Sequence, residues 1–169
     1  MSPTAPQTVI ISVGSNLGDK IAHCRFGIAR VAAHEAIELK ATSPFYRTAP
    51  VDYTAQDWFV NAAFRIETTL SPRALLAVTN AAQVACGQGE KEIRFGPRTL
   101  DLDLIFYGEL VMQTDDLELP HPRMHKRRFV LQPICDIDPQ FVHPVLRCRV
   151  DVLLGRLQDD QQEVARIDA

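Results

Sequence analysis

The chain has 169 residues and a mass of 18.9 kDa, close to the ~150 residues of one typical domain. Hydrophobic residues make up 46% and charged residues 23%, a balance that argues against general disorder, and no apolar run approaches the ~18 residues of a membrane span. A net charge of −3 and a pI of about 5.9 give no support to a protein that grips nucleic acid along its whole surface. Of the 18 basic residues 14 are Arg, whose planar fork suits carboxylate and phosphate, although genomic base composition produces the same bias. A chain of this size buries roughly 70% of its unfolded surface and needs no staple. Cys24, Cys86, Cys135 and Cys148 form no C-x-x-C pair and fit no zinc spacing, so they are expected as reduced, partly buried side chains. Residues 1–7 have neither a basic nor an apolar leader segment, and a loose tail on a soluble cytoplasmic protein is expected.

In chain order, TVIISV at 8–13 is apolar and β-branched and predicts a buried strand. GSNLG at 14–18 breaks it, and Ile21, Cys24, Ile28, Val31 and Ala32 then recur at helical spacing over 19–34. A second extended segment is expected over 37–48, with Pro44 at an edge or bulge, followed by a loop over 49–57. In 59–69, Phe64, Ile66 and Thr68 alternate with Arg65 and Glu67, the pattern of a half-buried strand. Ser71-Pro72 opens a helix that runs to about Cys86 and stops near Gly87 and Gly89. A charged loop fills 88–97, a strand is expected over 99–107, and 110–113 is expected to pair with it through a turn at Gly108. A basic segment at 120–128, a helix around 129–134, a short helix near 150–157 and a frayed acidic tail over 158–169 complete the chain. The order β-α-β-β-α-β followed by an extension predicts one α+β domain over 1–169, with a ferredoxin-like core and a C-terminal elaboration.

The sharpest feature is RTLDLDLI at 98–105. On a strand, Asp101 and Asp103 share one face, and Leu100, Leu102 and Leu104 face the core. Carboxylates at i and i+2 lie roughly 6.5–7 Å apart at Cα, close enough for their oxygens to converge on a hard cation such as Mg²⁺ completed by substrate phosphates. The pattern also fits two ordinary acids on a solvated strand. Lys91, Arg94 and Arg98 lie just before the pair, where they either neutralise a polyphosphate or form surface salt bridges with Glu90 and Glu92. A second basic cluster, His121, Arg123, His125, Lys126, Arg127 and Arg128, is either a solvated positive face or a phosphate-facing one. GSNLGDK at 14–20 fails the phosphate-loop spacing and fits a strand-to-helix turn capped by Asn16 or Asp19. His23, His34 and His143 belong to no motif and are expected on the surface or satisfied by neighbours.

The segment RFGPRTLDLDLI at 94–105 resembles the signature of the 6-hydroxymethyl-7,8-dihydropterin pyrophosphokinase family. VGSNLGD at 13–19, SPFYRTAPV at 43–51, FVNAA at 59–63 and LPHPRMHKRRFVLQPICDI at 119–137 also match, in order, so the resemblance covers roughly residues 8–145. It implies a ferredoxin-like α+β fold and an ATP-dependent diphosphokinase of folate synthesis. Such an enzyme transfers pyrophosphate from ATP to the pterin hydroxymethyl oxygen and releases AMP. By the same resemblance two Mg²⁺ ions are held by Asp101 and Asp103, and Arg94 and Arg98 stabilise the triphosphate. Lys91, Arg94, His121 and Arg127 contact ATP, and Thr48, Val51, Phe59, Asn61, Phe95 and Phe129 line the pterin site. Expected partners are ATP and 6-hydroxymethyl-7,8-dihydropterin, with no nucleic acid and no membrane, on a monomer.

The chain departs from the family pattern at Gln88 and Glu90, where loop arginines are common, at Gln83, near which an acid is usual, at Phe95, often a Trp, and at Pro122, where an aromatic is frequent. Lys91 is positioned in sequence to compensate for a missing loop cation. Other classes compatible with a D-x-D pair on such a sheet are a Mg-dependent nucleotidyl transferase, a small-molecule or RNA-binding module, and a degenerate homologue that binds pterin or nucleotide with little turnover. An RNA-binding sheet needs exposed aromatics in the RNP1 pattern, and no such string occurs.

Overall fold

The computed structural model describes residues 5–50, 56–87, 98–157 and 163–168. Its central sheet is antiparallel and is built on β1 (Gln7–Ser15), which pairs on one side with β4 (Phe59–Thr68) and on the other with β5 (Asp101–Tyr107). β4 pairs on its far side with both β2 (Ile37–Thr42) and β3 (Phe45–Thr48), which are separated at Ser43-Pro44. Beyond β3 lies a further strand near the C-terminus, Val164–Ile167, which becomes β8 once β6 and β7 are counted. The path is therefore β5-β1-β4-β3-β8, with β2 beside β3 on β4. The mixed helices and antiparallel sheet make this an α+β fold.

Period-two alternation sorts the side chains between two faces. Val9, Ile11 and Val13, with Ala62, Phe64 and Ile66 and with Leu102 and Leu104, form one buried face. Helices α1 (Lys20–Ala32) and α2 (Pro72–Ala85) pack on that core. Fully burying a side chain such as Phe64 or Ile66 contributes about 1.5–3 kcal/mol, so this layer supplies much of the fold's stability. The helix starts follow from local chemistry. Asp19 caps α1 by accepting from the Ala22 N–H at 3.2 Å, and Ser71 caps α2 by accepting from Ala74, with Pro72 at the first turn.

The other face carries Ile10, Ala63, Ile105 and Phe106, and against them pack α3 (Arg128–Ile137) and α4 (Val150–Arg156). Ile105 and Phe106 both turn this way because the register with β1 shifts between Ile10 and Ile11. Between these and the aromatic Phe59 and Tyr46 the face is polar or small: Ser12 and Gly14 on β1, Asn61 on β4, Asp101 and Asp103 on β5.

Two expectations need correction. Residues 110–113 do not pair with β5. Instead β6 (Met112–Gln113) pairs with β7 (Glu118–Leu119) in a separate two-stranded sheet, closed by Thr114, which donates its hydroxyl to the Leu117 carbonyl at 3.0 Å. The tail expected to fray after Gln158 contains β8, whose backbone finds partners in β3. The four cysteines are free thiols, with Cys24 buried and its pKa pushed up to about 12 by that burial. His34 and His143 are satisfied locally: the ring Nδ1 of each accepts backbone N–H groups, from Ala36 and from Val145 and Leu146.

Gly27 on α1 faces Leu100, the residue immediately before Asp101. A Cβ there would lie 2.9 Å from Leu100 Cδ1. Gly27→Ala is expected to overpack this contact and destabilise by about 1–3 kcal/mol, read as a lowered urea midpoint with unchanged slope. A midpoint at or above wild type would show that the helix can retreat from β5 without loss.

Candidate active site

Directly opposed residues of an antiparallel pair share a face. Tyr46, Asn61, Gly14 and Asp101 are opposed in sequence across β3, β4, β1 and β5, and so form one row. Ala63, Ser12 and Asp103 form the next row, and Thr48 opposes Phe59 at the other end of β4. The sheet thereby brings Thr48, Phe59, Asn61, Asp101 and Asp103 onto one face. The two carboxylates lie on β5 to one side of β1, and the Asn61 amide and Thr48 hydroxyl lie on β4 and β3 to its other side.

Asn61 is buried, and its Nδ2 donates to Thr48 Oγ1 at 2.6 Å. Its Oδ1 lies over Gly14, where an added Cβ would come within 2.5 Å. Gly14 is thus the residue that lets the amide lie flat across β1. Sequence reading treated it as the end of a strand, yet β1 continues to Ser15, and a glycine inside a strand was the available signal for a close approach.

Asn16 was expected only as a possible helix cap, which Asp19 provides. Instead it joins two segments of the site. Its Oδ1 accepts from the Arg98 N–H at 2.8 Å, and its own N–H donates to the Arg98 carbonyl at 3.0 Å. Its Nδ2 donates to Gln56 Oε1 at 2.8 Å and to the Asp57 carbonyl at 3.2 Å. The chain entering β4 and the chain entering β5 are therefore held to the end of β1 by one buried side chain. Arg98 is itself buried, three positions before Asp101. Next to Phe59, Trp58 points to the opposite face, with Lys20 Nζ 3.5 Å from its ring centroid and Lys20 also paired with Asp57 at 2.8 Å. On α2, Gln83 Oε1 accepts from the Leu102 N–H at 2.7 Å, tying down β5 between the two aspartates.

The basic segment reaches the same face. The His121 N–H donates to the Ile105 carbonyl at 3.0 Å, while His121 Nδ1 accepts from the Arg123 N–H at 3.1 Å. That bond leaves the ring proton on Nε2, the nitrogen free to donate to a ligand. Burial, helped by Arg127 and Arg123 and opposed by Asp101, pushes the His121 pKa down to about 4. The folded chain therefore keeps this ring neutral at pH 7. Arg127 precedes α3, with its guanidinium carbon 5.5 Å from the centroid of Phe129 on the first turn. Tyr46, on the site face of β3, donates to Asp136 on α3, so the helix that carries Phe129 is tied to the strand that carries Thr48. Sequence reading missed both partners of that contact, which lie 90 positions apart.

His121 makes stability depend on pH. Its folded pKa lies below its unfolded value of 6.5, so the unfolded chain binds the extra proton between the two. This contribution is full above pH 6.5 and is lost as pH falls to about 4, by on the order of 3 kcal/mol. Urea midpoints across this window should fall more steeply for wild type than for His121→Gln. Parallel curves would contradict the buried neutral ring.

Val51, Lys91, Arg94 and Phe95, with Gln88 and Glu90, lie outside the described residues. Among the described residues no group of three or more His, Cys, Asp or Glu side chains could hold a metal ion. Two carboxylates on one face nevertheless match Mg²⁺, which takes one or two carboxylates and completes its shell with substrate phosphates. Among the described residues no helix is long and apolar enough to cross a membrane.

Known proteins resemble this chain in sequence and in fold. The family model described as 7,8-dihydro-6-hydroxymethylpterin-pyrophosphokinase matches residues 10–139. A 2-amino-4-hydroxy-6-hydroxymethyldihydropteridine pyrophosphokinase of Bacillus subtilis is 39% identical over 130 residues, 77% of each chain. The protein of the same description from Methylorubrum extorquens is 40% identical over 132 residues, 78% of this chain and 83% of its own length. The folic acid synthesis protein FOL1 of Dictyostelium discoideum is 41% identical over 138 residues, which cover 82% of this chain but 20% of that longer protein. Wild-type Plasmodium falciparum HPPK-DHPS, solved with pteroate, shares the fold at a TM-score of 0.70 and 12% identity, over 92% of this chain and 43% of that one. With the matched residues spanning β1 through α3 and so every described strand of the site face except β8, the chain belongs to the 7,8-dihydro-6-hydroxymethylpterin-pyrophosphokinase family.

Proposed function

We propose that the chain is a single catalytic domain that transfers the β,γ-pyrophosphoryl group of ATP to 6-hydroxymethyl-7,8-dihydropterin, giving AMP and the pterin diphosphate. The observation that carries this reading is the division of one sheet face: Asp101 and Asp103 to one side of β1, the Asn61–Thr48 pair to the other. The family and its named relatives supply the substrates. The order β5-β1-β4-β3, with α1 and α2 on one side, supports a ferredoxin-like reading of the core. Four free thiols fit a reducing cytoplasm, where the enzyme acts as a monomer.

Asn61 offers both a donor and an acceptor to the edge of the pterin, and Thr48 fixes which way the amide points. Phe59 on β4 and Phe129 on α3 offer flat apolar surfaces to the ring, with Val51 and Phe95 as further contacts. Asp101 and Asp103 hold two Mg²⁺ ions together with the triphosphate. Bound Mg²⁺ neutralises the phosphate oxygens and orients the triphosphate. Arg94 and Arg98, with Lys91 and Arg127, neutralise charge that builds up on the transferred group and on AMP, and the Nε2–H of neutral His121 donates to a phosphate oxygen. In the transfer the hydroxymethyl oxygen bonds to the β-phosphorus, the bond from that phosphorus to the α–β bridging oxygen breaks, and AMP leaves with that oxygen. The hydroxyl proton passes to solvent.

Binding tests the division of the face. Calorimetric titration with the pterin and with a non-hydrolysable ATP analogue plus Mg²⁺ should show both bound at once, and chelation of Mg²⁺ should weaken only the analogue, by about tenfold or more. Mutually exclusive binding would overturn the reading.

A further inference from the structure

We propose that the C-terminal strand β8 is a positioning element for the pterin end of the site, acting through β3 on Thr48. The proposal rests on the reading of Thr48 as a pterin-site residue. β3 is four residues long and opposes β4 at only three positions, Tyr46, Arg47 and Thr48, because the chain breaks from β2 at Ser43-Pro44. Without β8 its other side would be an open edge. With β8, every residue of β3 gains an opposed partner: Phe45 faces Ile167, Tyr46 faces Arg166, Arg47 faces Ala165 and Thr48 faces Val164.

The hydrogen bonds fall on either side of Thr48. The Ala49 N–H donates to the Glu163 carbonyl at 3.0 Å, which makes residues 49 and 163 a hydrogen-bonded pair. Bonded and non-bonded pairs alternate along an antiparallel ladder, so Arg47 with Ala165 is the next bonded pair and Thr48 with Val164 is not. Thr48 is thus bonded toward β4 while its two chain neighbours are bonded toward β8. The peptide groups on both sides of Thr48 are fixed, and its hydroxyl, which is buried, stays aimed at Asn61. Tyr46 adds a side-chain link on β3: it points to the site face and bonds Asp136 on α3.

The alternation supplies a matched pair of variants. The N–H of Ala165 points to β3, whereas that of Arg166 points to the outer edge. Proline removes an N–H, so Ala165→Pro deletes a ladder bond and Arg166→Pro does not. Ala165→Pro should raise KM for the pterin by about tenfold while KM for ATP stays within about twofold, and Arg166→Pro should leave both within about twofold. Equal effects of the two prolines, or an unchanged pterin KM in Ala165→Pro, would overturn the proposal. If Ala165→Pro does not fold, amide exchange on the wild-type chain decides. Linkage is reciprocal, so pterin binding must slow exchange at the Ala165 and Ile167 amides, and unchanged rates there would overturn it. Thr48→Ala separates the two levels. If it leaves pterin affinity unchanged, the reading of the pocket fails and the brace with it. If it weakens affinity while Ala165→Pro does not, the brace alone fails.

Discussion

Asp103→Asn should lower kcat by about 10²–10³-fold while the melting temperature stays within a few degrees of wild type. On the edge strand β5, Asp103 opposes Ser12 and Asp101 opposes Gly14, so both backbones are fixed by β1 whatever the side chains carry. Asparagine keeps the shape but removes the negative charge that would hold a divalent cation against a triphosphate. Losing a single fixed electrostatic contact in an active site costs about 10²–10³ in rate. The loss should fall on kcat and on nucleotide affinity, and pterin affinity should be nearly unchanged, because Asn61 and Thr48 lie on the other side of β1 from Asp103. Stopped-flow turnover beside a circular-dichroism melt checks both halves. An active Asp103→Asn, or one that is inactive only because it is unfolded, would remove the carboxylate pair from the chemistry.

The second large effect belongs to Asn61. Asn61→Ala removes both hydrogen-bonding groups that the proposed function sets against the pterin edge and leaves Thr48 Oγ1 without its 2.6 Å partner in a buried setting. In the complex the pterin groups that Asn61 would bond are left unpaired at a cost of about 1–3 kcal/mol, so the expected loss is about 10–100-fold in pterin affinity, with ATP affinity retained. Gly14→Ala should produce a related loss without touching the amide. Its Cβ would come within 2.5 Å of Asn61 Oδ1 and turn the side chain away from Thr48. Fluorescence titration with the pterin measures both variants. If Gly14→Ala binds as wild type does, the amide is not held where the structure has it.

Legibility in the sequence followed the range of the interactions. β4 was visible because Phe64, Ile66 and Thr68 alternate with Arg65 and Glu67, and the start of α2 because Ser71-Pro72 satisfies and pre-sets its own first turn. That Asp101 and Asp103 share a face follows from period two alone. β8 was not visible, since Val-Ala-Arg-Ile has no strong alternation and its strand state depends on β3, more than a hundred residues earlier. Residues 110–113 read as a partner of β5 for a different reason: Met112-Gln113 is only two residues long, too short for alternation to show, and its partner Glu118-Leu119 lies just beyond the Thr114–Leu117 turn. In the site, side chains with a recognisable chemistry were found, while those that hold them were not. Asn16, Gly14, Gln83 and Tyr46 act through partners between 19 and 90 positions away, and spacing along the chain carries no trace of such contacts.

The most direct measurement follows phosphorus. ATP labelled at its β-phosphate is incubated with Mg²⁺, 6-hydroxymethyl-7,8-dihydropterin and the full chain, and the products are separated. The label should leave the nucleotide, appear in the pterin diphosphate in step with AMP, and do both about 10²–10³-fold more slowly in Asp103→Asn. Label retained in ADP while the pterin gains a single phosphate, or label retained in ATP despite binding of both substrates, would contradict pyrophosphoryl transfer by this site.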